Sequence, residues 1–320
     1  MRAIVWHGGG DLRLEKVEEP TVDDGHVVLD IALAGVCGSD LHAIRGHHGP
    51  RRPPLVLGHE VVGTVAGREG RFAAFPLVTC GACAACRRGE ENLCEHRGLL
   101  GLDRPGAFAE RVAVREDSLV PVPEGLDARV AVLVEPLATP LSALRAAALE
   151  PNSRVAIVGC GPIGLLGIHA AVSDGHEVTA VEPLASRREL ASAFGASDVR
   201  DDIATLEGLD ADVVLDAVGV AETIRAGVRA VRRGGSVIVL GLAAEEGTLP
   251  IADLVRRGVA IRGHYAYTAA DFAAAARMLQ ERPPASDWLT VVGFDDTADG
   301  IRRLLEQPDA TTKVLIDVGG

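Results

Sequence analysis

The run Arg154-Val-Ala-Ile-Val-Gly-Cys-Gly-Pro-Ile-Gly164 restricts the possible folds more than any other stretch of the chain. A short β-branched strand leads straight into Gly-x-Gly-x-x-Gly. The three glycines, Gly159, Gly161 and Gly164, have separate jobs: a tight turn, close backbone approach to a pyrophosphate, and close helix–strand packing. The helix that opens there, with Pro162 and Ile163 in its first turn, aims free N–H groups and its dipole at phosphate. Glu182 closes the next β-like run, roughly twenty residues on, where a carboxylate takes both hydroxyls of a ribose and repels a 2′-phosphate. Arg187 and Arg188 follow and could serve such a phosphate, so the pattern favours NAD(H) over NADP without excluding the latter.

The pattern around that run agrees with it. Apolar β-branched runs at 154–158, 177–181, 213–216 and 236–240 alternate with helical patterns at 163–173, 185–194 and 221–231. Such alternation predicts βαβ units and a parallel, doubly wound sheet. The N-terminal part reads differently: short strands at 3–6, 26–33, 61–66 and 108–114, punctuated by glycine and proline, predict a β-rich domain. The character changes near Pro136, where a helix at 141–149 is ended by Pro151, and two helices at 270–280 and 297–306 precede a strand at 313–318. A chain of 320 residues has room for two domains. The expected division is 1–136 completed by 267–320, and 137–266 as the dinucleotide domain.

Composition excludes several chemistries. Lys16 and Lys313 are the only lysines, so there is no Walker-type loop. Neither Tyr265 nor Tyr267 has a lysine four residues on, and no Gly-x-Ser-x-Gly elbow occurs. A net charge of −13 repels nucleic acid and anionic membranes. No signal segment and no apolar run of about 18 residues is evident, which predicts a soluble, cytoplasmic protein.

Cys80, Cys83, Cys86 and Cys94 are spaced so that one loop can wrap a tetrahedral ion. Paired disulfides or an iron–sulfur cluster are the alternatives. Four thiolates leave no open coordination position, so a zinc there is structural. A second group gathers in Gly35-Val-Cys-Gly-Ser-Asp-Leu-His42 and Gly58-His-Glu60. Cys37 and His59 suit zinc, and Glu60 and Glu135 are candidate oxygen ligands. One thiolate, one imidazole and one carboxylate would leave a fourth position open, as a catalytic zinc requires.

These motifs, with the Val-Glu-Pro-Leu-Ala segment at 134–138, resemble in order and almost end to end the zinc-containing medium-chain dehydrogenase/reductase family. The glutamate of that segment and the stretch 263–272 are similar to its polyol, threonine and butanediol dehydrogenase branch. The resemblance implies an α/β fold, with a GroES-like β-rich catalytic domain and a Rossmann domain. It implies reversible oxidation of a secondary alcohol, of polyol or sugar-alcohol type, by NAD, with one catalytic and one structural zinc. Glu60 would be the third protein ligand beside Cys37 and His59. Glu135 stands where related enzymes place theirs. Ser39 would hydrogen-bond the substrate hydroxyl, His42 would relay its proton, Asp40 would orient His59, and Arg187 would approach the adenosine ribose. A homodimer or homotetramer, joined near 259–263, is the implied assembly.

The chain departs from the family pattern between Gly63 and Cys80, which is roughly ten residues shorter than expected, and at His264, where serine is commoner. The basic stretch 45–52 reads as a solvated loop or as an attractor of anionic sugar alcohols, and Pro76, Leu77 and Val78 as apolar cleft lining. The rival readings are a threonine- or butanediol-type enzyme, a zinc-free quinone reductase, which the Cys/His/Glu set disfavours, and a catalytically silent zinc scaffold.

Overall fold

The computed structural model describes residues 1–47 and 49–319; His48 of the basic stretch lies outside the described residues. Contacts divide the chain into two units, Met1–Glu135 with Thr268–Gly320, and Pro136–Tyr267.

The first unit is built around the strand His26–Gly35. It pairs antiparallel with Glu60–Thr64, with Arg111–Arg115 and with Lys313–Asp317 in a seven-stranded sheet. Residues from both sequence segments of the unit therefore lie side by side: Gly35 is opposite Glu60 on one edge and Leu315 on the other. A smaller sheet, formed by Arg2–Gly8 with Asp11–Lys16 and Leu55–Val56, covers the same core. Trp6, Leu29, Phe108 and Val314 are wholly buried there. With aromatics at 3% of the chain, valine, leucine, isoleucine and alanine supply most of the remaining core surface, at about 25 cal/mol per Å² of apolar area removed from water.

The second unit is a six-stranded, all-parallel sheet. Its spatial order is Asp198–Arg200, Glu177–Val181, Arg154–Val158, Ala211–Asp216, Val231–Val239, Ala260–Gly263. The third and fourth strands in space flank the point where strand order reverses, the place in a doubly wound sheet where ligands bind. The glycine loop follows Arg154–Val158 directly at that point and runs into the helix Pro162–Ser173. The strands are continuous apolar runs because helices cover both faces of a parallel sheet.

Element boundaries moved in one informative place. The helix expected at 141–149 runs instead over Val134–Ala146, with Pro140 inside it. A proline past the first turn removes one intrahelical hydrogen bond and crowds the carbonyl four residues back, at a cost of about 3 kcal/mol. Leu137, Leu141 and Leu144 on this helix are buried, and that packing overrides the local preference. The helix Ile251–Arg257 and the strand Leu289–Gly293 carried too little periodic signal to be expected. No helix among the described residues is long and apolar enough to cross a membrane.

Candidate active site and metal sites

The four-cysteine loop forms a compact cluster. The Sγ atoms of Cys80, Cys83, Cys86 and Cys94 all lie within 4.8 Å of one another. Individual separations are 3.5 Å for Cys83–Cys86, 3.6 Å for Cys94–Cys80 and 4.0 Å for Cys80–Cys86. A tetrahedron of thiolates at Zn–S distances of about 2.3 Å has edges of about 3.8 Å, so the cluster fits zinc. All six cysteines are free, which removes the disulfide alternative. Backbone amides prepare the thiolates. The N–H groups of Ala82 and Cys83 lower the Cys80 pKa, and those of Cys86 and Glu95 bring Cys83 down to about 6. Loss of water, reinforced by the neighbouring thiols, pushes Cys86 up to about 12.

The second group is organised by the helix Gly38–Ile44, which begins just after Cys37. Asp40, in its first turn, is wholly buried and accepts the Cys37 backbone N–H at 3.1 Å. Its Oδ1 lies 3.9 Å from Nδ1 of His59, and neither atom has another hydrogen-bond partner. Asp40 thus faces the imidazole it was expected to orient, at a distance just beyond a hydrogen bond. The Cys37 thiol is pushed up to about 11, first by loss of water and then by the Glu60 and Asp40 carboxylates. Ser39 follows on the same helix, its Oγ accepting a hydrogen bond from Arg51 Nη2 at 3.1 Å. His42, an exposed residue of that helix, has its pKa lowered by partial loss of water and by its neighbours Arg45, His47 and Arg51.

Glu60 has a partner that the sequence reading missed. Both of its carboxylate oxygens lie 2.5 Å from Nζ of Lys313, which also donates to the Val36 carbonyl at 2.9 Å. Glu60 and Lys313 are 0% and 1% exposed, and a carboxylate so deeply placed needs a counter-charge. A side chain at Gly35, directly opposite, would overlap the Glu60 carboxylate. The signal was present: one of only two lysines stands at the head of an otherwise apolar strand, Lys313–Asp317. As a result no three of Cys37, His59, Glu60 and Glu135 bring ligand atoms within 4.8 Å; among the described residues only the four-cysteine cluster does so. Glu135 is buried in the first turn of Val134–Ala146.

In the second unit, Gly159 has φ +85° and turns the chain at the end of its strand. A side chain at Gly164 would overlap the Gly159 carbonyl, so only glycine lets the helix start this close. Glu182 is 4% exposed and accepts two backbone N–H groups, from Cys160 at 2.8 Å and Leu184 at 3.1 Å. It therefore ties the glycine loop to the end of Glu177–Val181, a role beyond the ribose contact expected of it. Arg187 reaches toward Gly161, and its Nε is buried without a hydrogen-bond partner. Arg188 instead binds the carbonyls of Glu182 and Pro183.

A parallel sheet with this glycine loop, in one chain with a β-rich unit whose four clustered cysteines fit zinc, defines a zinc-binding nucleotide-dependent dehydrogenase. Comparison with known proteins agrees. Residues 23–124 match the alcohol dehydrogenase GroES-like domain, and residues 162–281 the zinc-binding dehydrogenase family. The chain is 30% identical over 307 residues to L-galactonate-5-dehydrogenase of Escherichia coli, covering 90% of each. It is 31% identical to sorbitol dehydrogenase of Halalkalibacterium halodurans, covering 88% of this chain and 89% of the relative. Among solved structures, acetophenone reductase from Geotrichum candidum in complex with NAD superposes with a TM-score of 0.89 at 29% identity, over 99% of this chain and 96% of that one. The chain belongs to the zinc-containing medium-chain dehydrogenase/reductase family, and it is an oxidoreductase of that class.

Proposed function

We propose that this enzyme interconverts a secondary alcohol of a polyol or sugar acid with its ketone, using NAD(H), and that Cys37 and His59, with Glu60 or Glu135, hold a second zinc at the reaction centre. The observation that carries the proposal is the grouping of the half-buried Cys37 thiol with the buried His59 imidazole, which faces Asp40, and the buried Glu60 carboxylate in one stretch of structure. Thiolate, imidazole and carboxylate suit zinc by their chemistry, and Nδ1 of His59, turned to Asp40, leaves Nε2 for a metal. When bound, zinc supplies Lewis acidity to the alcohol oxygen and lowers its pKa.

The chain's own residues do the rest. Ser39 takes the alcohol proton as it gives its own to His42, which releases a proton to water, the neutral form of the ring being favoured by its surroundings. The glycine loop, with Gly159, Gly161, Pro162, Ile163 and Gly164, binds the pyrophosphate, and Glu182 and Arg187 contact the adenosine ribose. The alcohol carbon gives its hydride to NAD⁺, so ketone, NADH and one proton are the products. The exposed Arg45 and His47 near His42, together with the relative that acts on L-galactonate, support an anionic sugar acid as one substrate. The edge strand Ala260–Gly263, with Leu242, Ile251 and Val255 exposed in the same unit, supports a homodimer through that edge.

The test is metal content per chain together with NAD⁺ reduction on sorbitol, L-galactonate, L-threonine and (R,R)-2,3-butanediol. Two zincs per chain and turnover of sorbitol or L-galactonate are expected. Preferred turnover of threonine or the butanediol would move the substrate assignment to the sister enzymes. One zinc and no turnover would leave a silent scaffold.

A further inference from the structure

Arg51 is only 4% exposed, yet it carries a permanent charge. Its Nε donates to the Gly101 carbonyl at 2.9 Å, and Nη2 donates to Ser39 Oγ at 3.1 Å and lies 3.5 Å from Asp40 Oδ1. Nothing in the relay described above requires a buried cation at this place. Burying a guanidinium costs several kcal/mol unless partners repay it, and an apolar side chain would fill the space at lower cost. The charge is therefore kept for what it touches.

We propose that Arg51 is a positioning residue for the proton relay, fixing the Ser39 hydroxyl and anchoring it to the segment that carries His59. This rests on the reading of Ser39 as the group that takes the substrate proton. A serine hydroxyl has one proton and two lone pairs, and it rotates freely when none is engaged. With one lone pair taken by Nη2, the rotor is pinned, leaving one lone pair and the proton for the relay. The planar fork cannot turn, because its other edge is held by Gly101. Gly101 in turn packs on the backbone of Gly58, where any side chain would collide, and Gly58 adjoins His59. One guanidinium thus ties Ser39 and Asp40 of the helix Gly38–Ile44 to the loop lying against the His59 turn.

The experiment compares Arg51→Met, Arg51→Lys, Ser39→Ala and Arg51→Met/Ser39→Ala. Each is prepared with zinc, and assayed with NAD⁺ and whichever of sorbitol, L-galactonate, L-threonine and (R,R)-2,3-butanediol the parent enzyme turns over with the highest kcat/KM. Thermal midpoints and zinc content are measured in parallel. Arg51→Met should lower kcat about tenfold while changing KM for the alcohol less than about twofold. Arg51→Lys keeps the charge beside Asp40 but lacks the fork, so it should melt near the parent temperature and still show the lower kcat. In the Ser39→Ala background Arg51→Met should cost almost nothing more, because the two act as one unit. Full kcat in Arg51→Lys, or losses that simply add in the double variant, would overturn the proposal; since Arg51→Lys retains the ion pair, it decides the matter even if Arg51→Met fails to fold. Wild-type kcat in Ser39→Ala, or no turnover of any of the four compounds, would instead remove the relay reading beneath it.

Discussion

Lys313 Nζ stands 2.5 Å from both carboxylate oxygens of Glu60 in the buried heart of the β-rich unit. The pair joins Glu60–Thr64 to Lys313–Asp317 across the strand His26–Gly35 that lies between them. It also answers why the glutamate next to His59 can be wholly buried.

Removing one partner should hurt more than removing both. Lys313→Met leaves an uncompensated buried carboxylate and is expected to cost about 3–5 kcal/mol in urea unfolding. Lys313→Met/Glu60→Gln should recover a large part of that loss. A double variant as unstable as the single one would mean that the pair is not what burial is paid back by.

The cysteine cluster should behave as a structural staple. Cys94→Ala, which removes the buried member of the four, is expected to lower zinc content by about one per chain and to lower the melting temperature markedly. Cys160→Ala removes a buried thiol outside the cluster and should leave zinc content unchanged. Equal zinc in both variants would contradict the assignment.

His42 sets a pH expectation. Its pKa is depressed by partial loss of water and by Arg45, His47 and Arg51, so the neutral ring persists below the usual histidine value of about 6.5. As a proton acceptor it works while neutral, so the acid limb of kcat should lie below that value and rise toward it in Arg45→Gln. The stability sign runs in parallel: the unfolded chain takes up this proton first, so acid below about 6.5 costs stability. Stopped-flow rates from pH 5 to 8 would check the limb; an acid limb above the ordinary value would count against His42 as the acceptor.

Glu182 should matter to cofactor binding in two ways. Glu182→Ala strips the Cys160 and Leu184 amides of their acceptor, and leaving buried donors unpaired costs about 1–3 kcal/mol. NADH affinity, read by fluorescence titration, is expected to fall at least about tenfold. The ratio of NADPH to NADH affinity should rise, because the carboxylate no longer repels a 2′-phosphate while Arg187 remains. Unchanged NADH binding would remove Glu182 from the site.

What the sequence disclosed followed from range. The glycine loop and the four cysteines are local patterns, where a few residues dictate a turn or wrap an ion, and both appear in the structure where spacing placed them. The parallel sheet was legible because its strands are apolar on both faces. Partners distant in sequence were not: the Glu60–Lys313 pair spans 253 positions, and no periodicity encodes it. Arg51 was read as part of a solvated basic stretch, because charge alone does not say which of several arginines turns inward. The helix Val134–Ala146 was set too late because two prolines spoke louder than the leucines that bury it.

The placement of Lys313 has a bearing on biosynthesis. A nascent chain emerging from the ribosome has made Glu60, the cysteine cluster and the whole parallel sheet of Pro136–Tyr267 before this lysine is translated. That sheet is contiguous and can close early, whereas the unit holding Glu60 must wait with a bare carboxylate at its centre. Chains arrested before residue 313 should therefore be recognised by proteases through the β-rich part first.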